Sequence, residues 1–383
     1  MRVARAPQVL LSVGMRLVLS LLLGLHGAIH LLGFVKGLGL AAVPQLQLAI
    51  STRVGVAWLA AALLLMGSSV LVFVAPRVWW MVALPGVLLS QLLIIGAWQD
   101  AKFGTLANVV LLVPLVIVIA DLRPSSLRSR FTRDTASLLA AEKSMHSPVL
   151  VTEADLAPYP QQLQRYLRRA GVVGKPRVQN VRLTFTAQMR NDSKSPWMES
   201  TATQYEFYDP PARLFFMQAS RSGVPFDVFH RYVGTEATFQ VRIAGLIPMV
   251  NESGPLMTRS ETVTLFNDMC LLAPGSLIGA PVTWTVVDDA TLRARYSNAG
   301  HTIEAVLTFD ASGDIQNFVS QDRGKEVNGE QRVTPWDTPV SAYATFDGVR
   351  IVSQAEARYE ENGEQSAYGR FTITGAEFNV RAP

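Results

Sequence analysis

Apolar side chains fall into two regimes along this chain: four long uninterrupted runs first, then alternation with a period of two. The runs cover residues 18–35, 54–74, 78–98 and 103–120. Each approaches the ~20 apolar residues that cross a hydrocarbon core about 30 Å thick. Backbone groups left unpaired in lipid are costly, so such runs fold as helices. Between residues 17 and 122 only Lys36, Arg53, Arg77, Asp100, Lys102 and Asp121 carry a formal charge. The pattern predicts a four-helix transmembrane bundle over residues 1–122. The first run does not read as a cleaved signal, because no small-residue cleavage site follows it.

Residues 123–158 read as a basic juxtamembrane linker, with a short helix at 137–142 lying on the membrane surface. A clearer helix follows at 161–170. Leu163, Tyr166, Leu167 and Ala170 share one face of it, Arg165, Arg168 and Arg169 occupy the other, and Gly171 stops it.

From residue 177 onward Val181, Leu183 and Phe185 alternate with Arg182, Thr184 and Thr186, as on a half-buried strand. Similar segments recur at 201–208, 212–219, 226–233, 237–244, 282–287, 291–296, 302–309, 315–321, 341–346, 349–353, 356–360 and 368–380. Asp209-Pro210-Pro211, Asp310-Ala311-Ser312-Gly313, Asp347-Gly348 and Glu361-Asn362-Gly363 supply turns between them. One stretch departs from the alternation. Residues 258–272 form a helix with Val263, Phe266, Cys270 and Met269 on its apolar side, capped by Thr258 or Ser260 and ended by Pro274-Gly275. The predicted fold is a four-helix transmembrane bundle followed by an α+β, mostly antiparallel β domain over residues 159–383. In that domain a curved sheet or half-barrel wraps one helix and leaves a crevice between them.

Charge refines the picture. The net +4 and pI near 9.3 do not argue for nucleic acid, because residues 123–175 alone hold nine basic and four acidic side chains while residues 176–383 sum to −6. The positive charge therefore sits beside the membrane, where anionic headgroups attract it. Arg2, Arg5 and Arg16 precede the first run, and Arg123, Arg128, Arg130 and Arg133 follow the fourth. The positive-inside rule then places both termini, and the β domain, in the cytoplasm of a multi-pass inner (plasma) membrane protein. Cys270 is the only cysteine, so no internal disulfide forms.

Candidate chemistry is sparse. His26 and His30 share one helix face, with Gly24, Gly27 and Gly33 close by; they read as a proton relay, two metal ligands, or hydrogen-bonding residues at a helix interface. Gln91, Asp100, Lys102 and Asn108 complete the intramembrane polar set, and Pro85 and Pro114 are expected to kink their helices. No phosphate loop, Cys-x-x-Cys, His-Glu-x-x-His or nucleophile elbow is present, so no catalytic residue, cofactor or metal is assigned. Asp227 and Arg231 share a strand face and His230 points to the other, which weakens an acid–base grouping. The ligand-binding candidates are Phe266, Trp284 and Trp336 as crevice lining, with Asp268 facing the crevice and Arg242 opposite it.

Several stretches bear a likeness. They are residues 164–170, Gly245-Leu246-Ile247-Pro248-Met249 with Gly254-Pro255, Val287-Asp288-Asp289, Val333-Thr334-Pro335-Trp336, residues 30–34 and residues 98–108. On them the chain resembles an uncharacterised bacterial membrane-protein family in which a β-rich domain of unknown function follows a membrane segment. Its distal domain is similar in pattern to the half-barrels of periplasmic lipoprotein carriers, which hold acyl chains; that likeness implies a periplasmic domain, against the charge-based orientation. The expected function is binding of an apolar small molecule or lipid by a membrane-anchored domain, with membrane lipids as partners. The alternatives are a sensing module with a protein partner, or an enzyme acting on a membrane-associated substrate.

Overall fold

The computed structural model describes residues 13–142, 149–221, 223–327, 330–361 and 363–383. Arg2 and Arg5 of the N-terminal basic run, linker residues 143–148 and Asn362 of the last turn lie outside the described residues. The chain separates into two compact units, Met1–Arg123 and Pro124–Pro383.

The first unit consists of α1 (Val13–Gly37), α2 (Thr52–Val74), α3 (Trp79–Gly96), the single turn α4 (Trp98–Ala101) and α5 (Gly104–Leu122). Four helices are long and apolar enough to cross a membrane. Glycines set the approach of α1 to α2. A Cβ on Gly33 would sit 2.3 Å from the Trp58 ring, and one on Gly37 would sit 2.6 Å from the Gly55 Cα. Small residues at these points let the helix backbones approach closely.

The second unit opens with α6 (Leu127–Glu142), the turn α7 (Glu153–Leu156) and α8 (Gln161–Ala170). Six strands follow: β1 (Asn180–Met189), β2 (Met198–Tyr208), β3 (Pro211–Arg221), β4 (Val224–Val233), β5 (Glu236–Ile243) and β6 (Ile247–Ser253). Helix α9 (Pro255–Leu271) interrupts them. Then come β7 (Val282–Asp288), β8 (Thr291–Asn298), β9 (His301–Phe309), β10 (Ile315–Ser320), the short pair β11 (Gly324–Val327) and β12 (Glu330–Val333), β13 (Trp336–Asp337), β14 (Val340–Phe346), β15 (Val349–Glu361) and β16 (Glu364–Phe378). One antiparallel sheet runs β6-β5-β4-β3-β2-β1-β16-β15-β13-β10-β9-β8-β7, with β14 beside β15. The sheet curls into a half-barrel around α9. Asp347 and Gly348 both have positive φ, the backbone of a type I′ hairpin turn, which is why Asp-Gly stands there.

Three local expectations change. Helix α9 begins a turn earlier than 258: Gly254 occupies the cap position, Pro255 the first helical one, and no side chain caps the start. Thr258 and Ser260 instead bond back to the carbonyls of Gly254 and Leu256. Pro255 lacks an N–H and presets φ, so it opens the helix unaided. Strand β6 contains Pro248 and lies at the sheet edge, where proline is tolerated; its weak alternation hid it. Finally, α6 spans 127–142 rather than 137–142. Its Leu127, Phe131 and Leu139 pack on the convex face of the sheet against Tyr205, Phe207, Leu214, Phe216 and Phe229. The linker region thus carries a helix that belongs to the β unit.

Candidate functional site

Helix α9 is buried on nearly every side, and its two faces meet different surroundings. Phe266 faces the closed half of the unit: its ring stacks on Tyr296 at 5.0 Å and meets Phe318 at 5.8 Å and Trp284 at 6.1 Å. The other face carries Ser260, Glu261, Thr264, Asn267 and Asp268 at three- and four-residue spacing. This polar stripe looks into a cavity of about 650 Å³ between the helix and the concave sheet. The walls of that cavity are apolar, with Phe185, Phe215, Met217, Val228, Phe239 and Phe371 among them.

A closed charge network forms the floor. Arg213 on β3 donates through Nε to Asp268 Oδ2 at 2.8 Å, through Nη1 to Glu261 Oε2 at 3.0 Å and through Nη2 to Gln204 Oε1 at 2.9 Å. Gln204 Nε2 donates in turn to Asp268 Oδ2 at 3.0 Å and Glu206 Oε1 at 2.8 Å, and Tyr208 OH donates to Glu206 Oε2 at 2.8 Å. His230 Nδ1 lies 3.0 Å from Glu261 Oε1, with its ring stacked on Phe239. On the far side, Arg323 donates to Tyr359 OH at 2.9 Å and to the Thr264 hydroxyl, beneath the Trp336 ring.

The titration of these groups follows from their surroundings. Burial, and then the neighbouring Asp268 carboxylate, push Glu206 well above the ordinary carboxyl range. Burial also opposes ionisation of Glu261, but His230 and Arg213 outweigh it and hold Glu261 well below that range. Burial pushes the Tyr359 hydroxyl up to about 12, with the adjacent Arg323 opposing. The floor therefore gathers the guanidinium groups of Arg213 and Arg323 beside the carboxyl groups of Glu206, Glu261 and Asp268. It presents hydrogen-bonding groups of both kinds.

Of the residues singled out in the sequence, Asp268 and Trp336 line the cavity, whereas Phe266 and Trp284 pack on the opposite face of α9. Arg242 is not opposite Asp268. Alternation along β5 sends Phe239 and Val241 to the cavity and Arg242 to the convex face, where it donates to the Ser125 carbonyl at 3.0 Å. Arg213 is the actual partner of Asp268. His230 looks into the cavity, and Arg231, on the other face, pairs with Asp134 at 2.8 Å.

In the helical unit, His26 Nε2 lies 2.9 Å from Asn108 Oδ1 and 3.1 Å from Ser90 Oγ. Asn108 donates to Gln91 at 3.0 Å, and Gln91 donates to Thr105 at 3.2 Å. His30 Nδ1 is bonded to the His26 carbonyl at 2.8 Å. Asp100 accepts from the Gln47 and Leu48 amides at 2.7 and 2.8 Å and so pins the loop between α1 and α2. Lys102 stands over the Phe103 ring. The His26–Asn108–Gln91 group is an interhelical hydrogen-bond network, and among the described residues no cluster of three metal-ligating side chains forms.

Two solved structures share a distant likeness with this chain. An outer membrane lipoprotein-sorting protein domain from Vibrio parahaemolyticus is 10% identical, with a TM-score of 0.32, over 53% of this chain and 87% of its own. A DUF1329 family protein from Desulfovibrio piger is 12% identical, with a TM-score of 0.31, over 61% of this chain and 96% of its own. Neither likeness is close enough to bear on what the cavity holds. No curated protein matches the sequence at a significant level. A family model does match, over residues 149–371, and it takes in α8, the whole network around Arg213 and most of the sheet. The chain belongs to that family, the family of unknown function DUF6544.

Proposed function

We propose that the β domain binds an apolar ligand, a lipid or a comparable small amphiphile, in the cavity beneath α9. The observation that carries this reading is the cavity itself. Its volume of about 650 Å³ falls within the range of small-molecule sites, which are mostly apolar with a few placed polar groups. Here the walls are aromatic and aliphatic and the polar groups are gathered on one floor. Native mass spectrometry of the full chain released from detergent micelles tests the reading. A bound apolar species is expected, and it should be lost when Val228→Trp fills the cavity. A protein that carries no such species, and takes up none from added fluorescent fatty alcohol, would remove the reading.

A second reading, catalysis on a membrane-associated substrate, has one observation behind it: several titratable groups meet at the floor, and His230 is held by the buried Glu261 at the cavity wall. It requires that His230→Gln abolish turnover of the bound species while leaving its uptake intact.

We further propose that both termini lie in the cytoplasm, from the arginines at the two outer ends of the helical block. A periplasm-active phosphatase fused after Pro383 should then be silent; strong activity would reverse the orientation.

A further inference from the structure

We propose that the cavity takes an amphiphile with an anionic head, its apolar tail lying along the concave sheet and its head held at the rim by Arg190 and Arg221. The inference rests on the cavity reading above and names the class of ligand. Strand β3 runs the length of the cavity. Alternation turns Arg213, Phe215, Met217, Ala219 and Arg221 to its concave side, and all of them line the cavity. From Arg213 to Arg221 the strand covers about 26 Å at ~3.3 Å per residue, which suits an alkyl chain laid along it. Arg213, Phe215, Met217 and Ala219 are buried and Arg221 is exposed, so the strand leads from the polar floor to the rim.

The two arginines of this strand differ in what they meet. Arg213 is matched by Glu261 and Asp268. The Arg221 guanidinium makes no hydrogen bond or ion pair with any described residue. Arg190 stands at the same end of the sheet and also lines the cavity. It follows Met189, which pairs with Met198, and Met198 and Arg221 each lie two residues beyond the Ser200–Ala219 pair. Strands β1 and β3 flank β2, so their ends are about 10 Å apart, a gap that two long side chains can close around one head group. Arg190 donates to the Ala367 and Ser193 carbonyls at 2.6 and 3.1 Å and stacks on Trp197. These contacts orient its fork without a carboxylate to neutralise it. Outside the floor, the other charged side chains on the cavity are placed differently. Glu252 is level with Phe239 and His230, toward the floor. Glu356 accepts from Arg370 at 2.9 Å, and Lys325 stands over the Tyr359 ring. A guanidinium fork matches a carboxylate or a phosphate, so the rim selects an anionic oxygen head on an apolar chain.

The test offers the full chain, in detergent, equal amounts of palmitate, hexadecyl phosphate and hexadecanol, and native mass spectrometry reads the bound species. The wild type should favour at least one of the two anions over hexadecanol by about tenfold, the contribution of a charge-assisted hydrogen-bonded pair. Which anion leads tells a carboxylate head from a phosphate one. Arg190→Gln and Arg221→Gln should each cut that preference about threefold, and the double variant should lose it. Hexadecanol uptake should stay unchanged in these variants, which a merely structural role of either arginine would not allow. Equal binding of the three probes by the wild type would overturn the inference and leave the cavity reading standing. So would a preference that survives in the double variant. If no probe binds, or if Val228→Trp still takes them up, the cavity reading fails and this inference falls with it.

Discussion

Arg213 Nε lies 2.8 Å from Asp268 Oδ2, and this contact fastens β3 to the helix that the sheet wraps. The same guanidinium reaches Glu261, so its removal takes the paired cation from Asp268 and leaves Glu261 with His230 alone at hydrogen-bond distance. Breaking a buried pair from one side costs about 3–5 kcal/mol. Arg213→Leu should therefore lower the melting temperature of the β unit by on the order of 10 °C. Adding Glu261→Gln and Asp268→Asn to Arg213→Leu should restore most of that loss, since neutral isosteres need no counter-ion. If the triple variant melts no higher than the single one, the network is not what holds α9.

Glu206 gives the network a pH dependence of known sign. Its folded-state pKa is raised by burial and by Asp268. A group shifted in this direction contributes stability below the ordinary carboxyl value near 4.3, and that contribution is lost as pH rises through the folded value. Glu206→Gln keeps a neutral group of the same shape at every pH. It should match the wild type near pH 5 and melt above it at pH 8 and beyond, by about 3–5 °C for each pH unit of proton retention avoided. Thermal melts of both proteins across pH 5–9 decide this. A variant that melts lower throughout would mean that Glu206 is ionised in the fold and serves as another partner of Arg213.

The outer face of the sheet makes a separate claim. Phe131 of α6 stacks on Phe216 with ring centroids 5.5 Å apart and meets Phe229 edge-on at 5.9 Å. Phe131→Ala should cost about 3–5 kcal/mol, the usual loss for a large aromatic taken from a core. It should also speed amide exchange throughout residues 127–142. An unchanged melt with already rapid exchange in that helix would return the segment to the role of a plain tether.

Much of this architecture was legible because it follows from pattern. Runs without charge announce membrane helices, and alternation announces strands, so the spans and most of the sheet could be read directly. The floor of the cavity could not be. Gln204 and Glu206 alternate with Tyr205 and Phe207, which reads as one wet face and one dry face. Both faces are buried, because α6 covers the aromatic side and α9 the polar one. On α9 the sequence singled out only Asp268 for the crevice, whereas Ser260, Glu261, Thr264 and Asn267 line it as well. One signal was available. Arg213 stands inside the apolar run Ala212-Arg213-Leu214-Phe215-Phe216, and a charge within such a run requires a buried partner. Arg242, on a more polar strand, carried no such demand. Which acid sat across from which arginine depended on long-range register, which local pattern does not encode.

The helical unit offers a test in which two glycines of similar helical setting should behave oppositely. Gly33 faces Trp58 so closely that a Cβ would lie 2.3–2.8 Å from three ring carbons, whereas a Cβ on Gly67 would meet nothing within 4 Å. The ring is large and buried, so it cannot swing aside as the end of a flexible chain could. Gly33→Ala must then push α1 off α2 or force the Trp58 side chain from its rotamer, and overpacking of this kind costs about 1–3 kcal/mol. Gly67→Ala incurs no clash and gains the alanine helix preference, up to about 1 kcal/mol. Thermal unfolding of the full chain in one detergent should therefore rank Gly67→Ala at or above the wild type and Gly33→Ala clearly below it. Pairing Gly33→Ala with Trp58→Leu removes the ring that obstructs the new methyl, so the double variant should lose less than the sum of its parts. Equal melting temperatures for Gly33→Ala and Gly67→Ala would mean that the α1–α2 seam is not set by glycine, and the close approach at Trp58 would have to be abandoned.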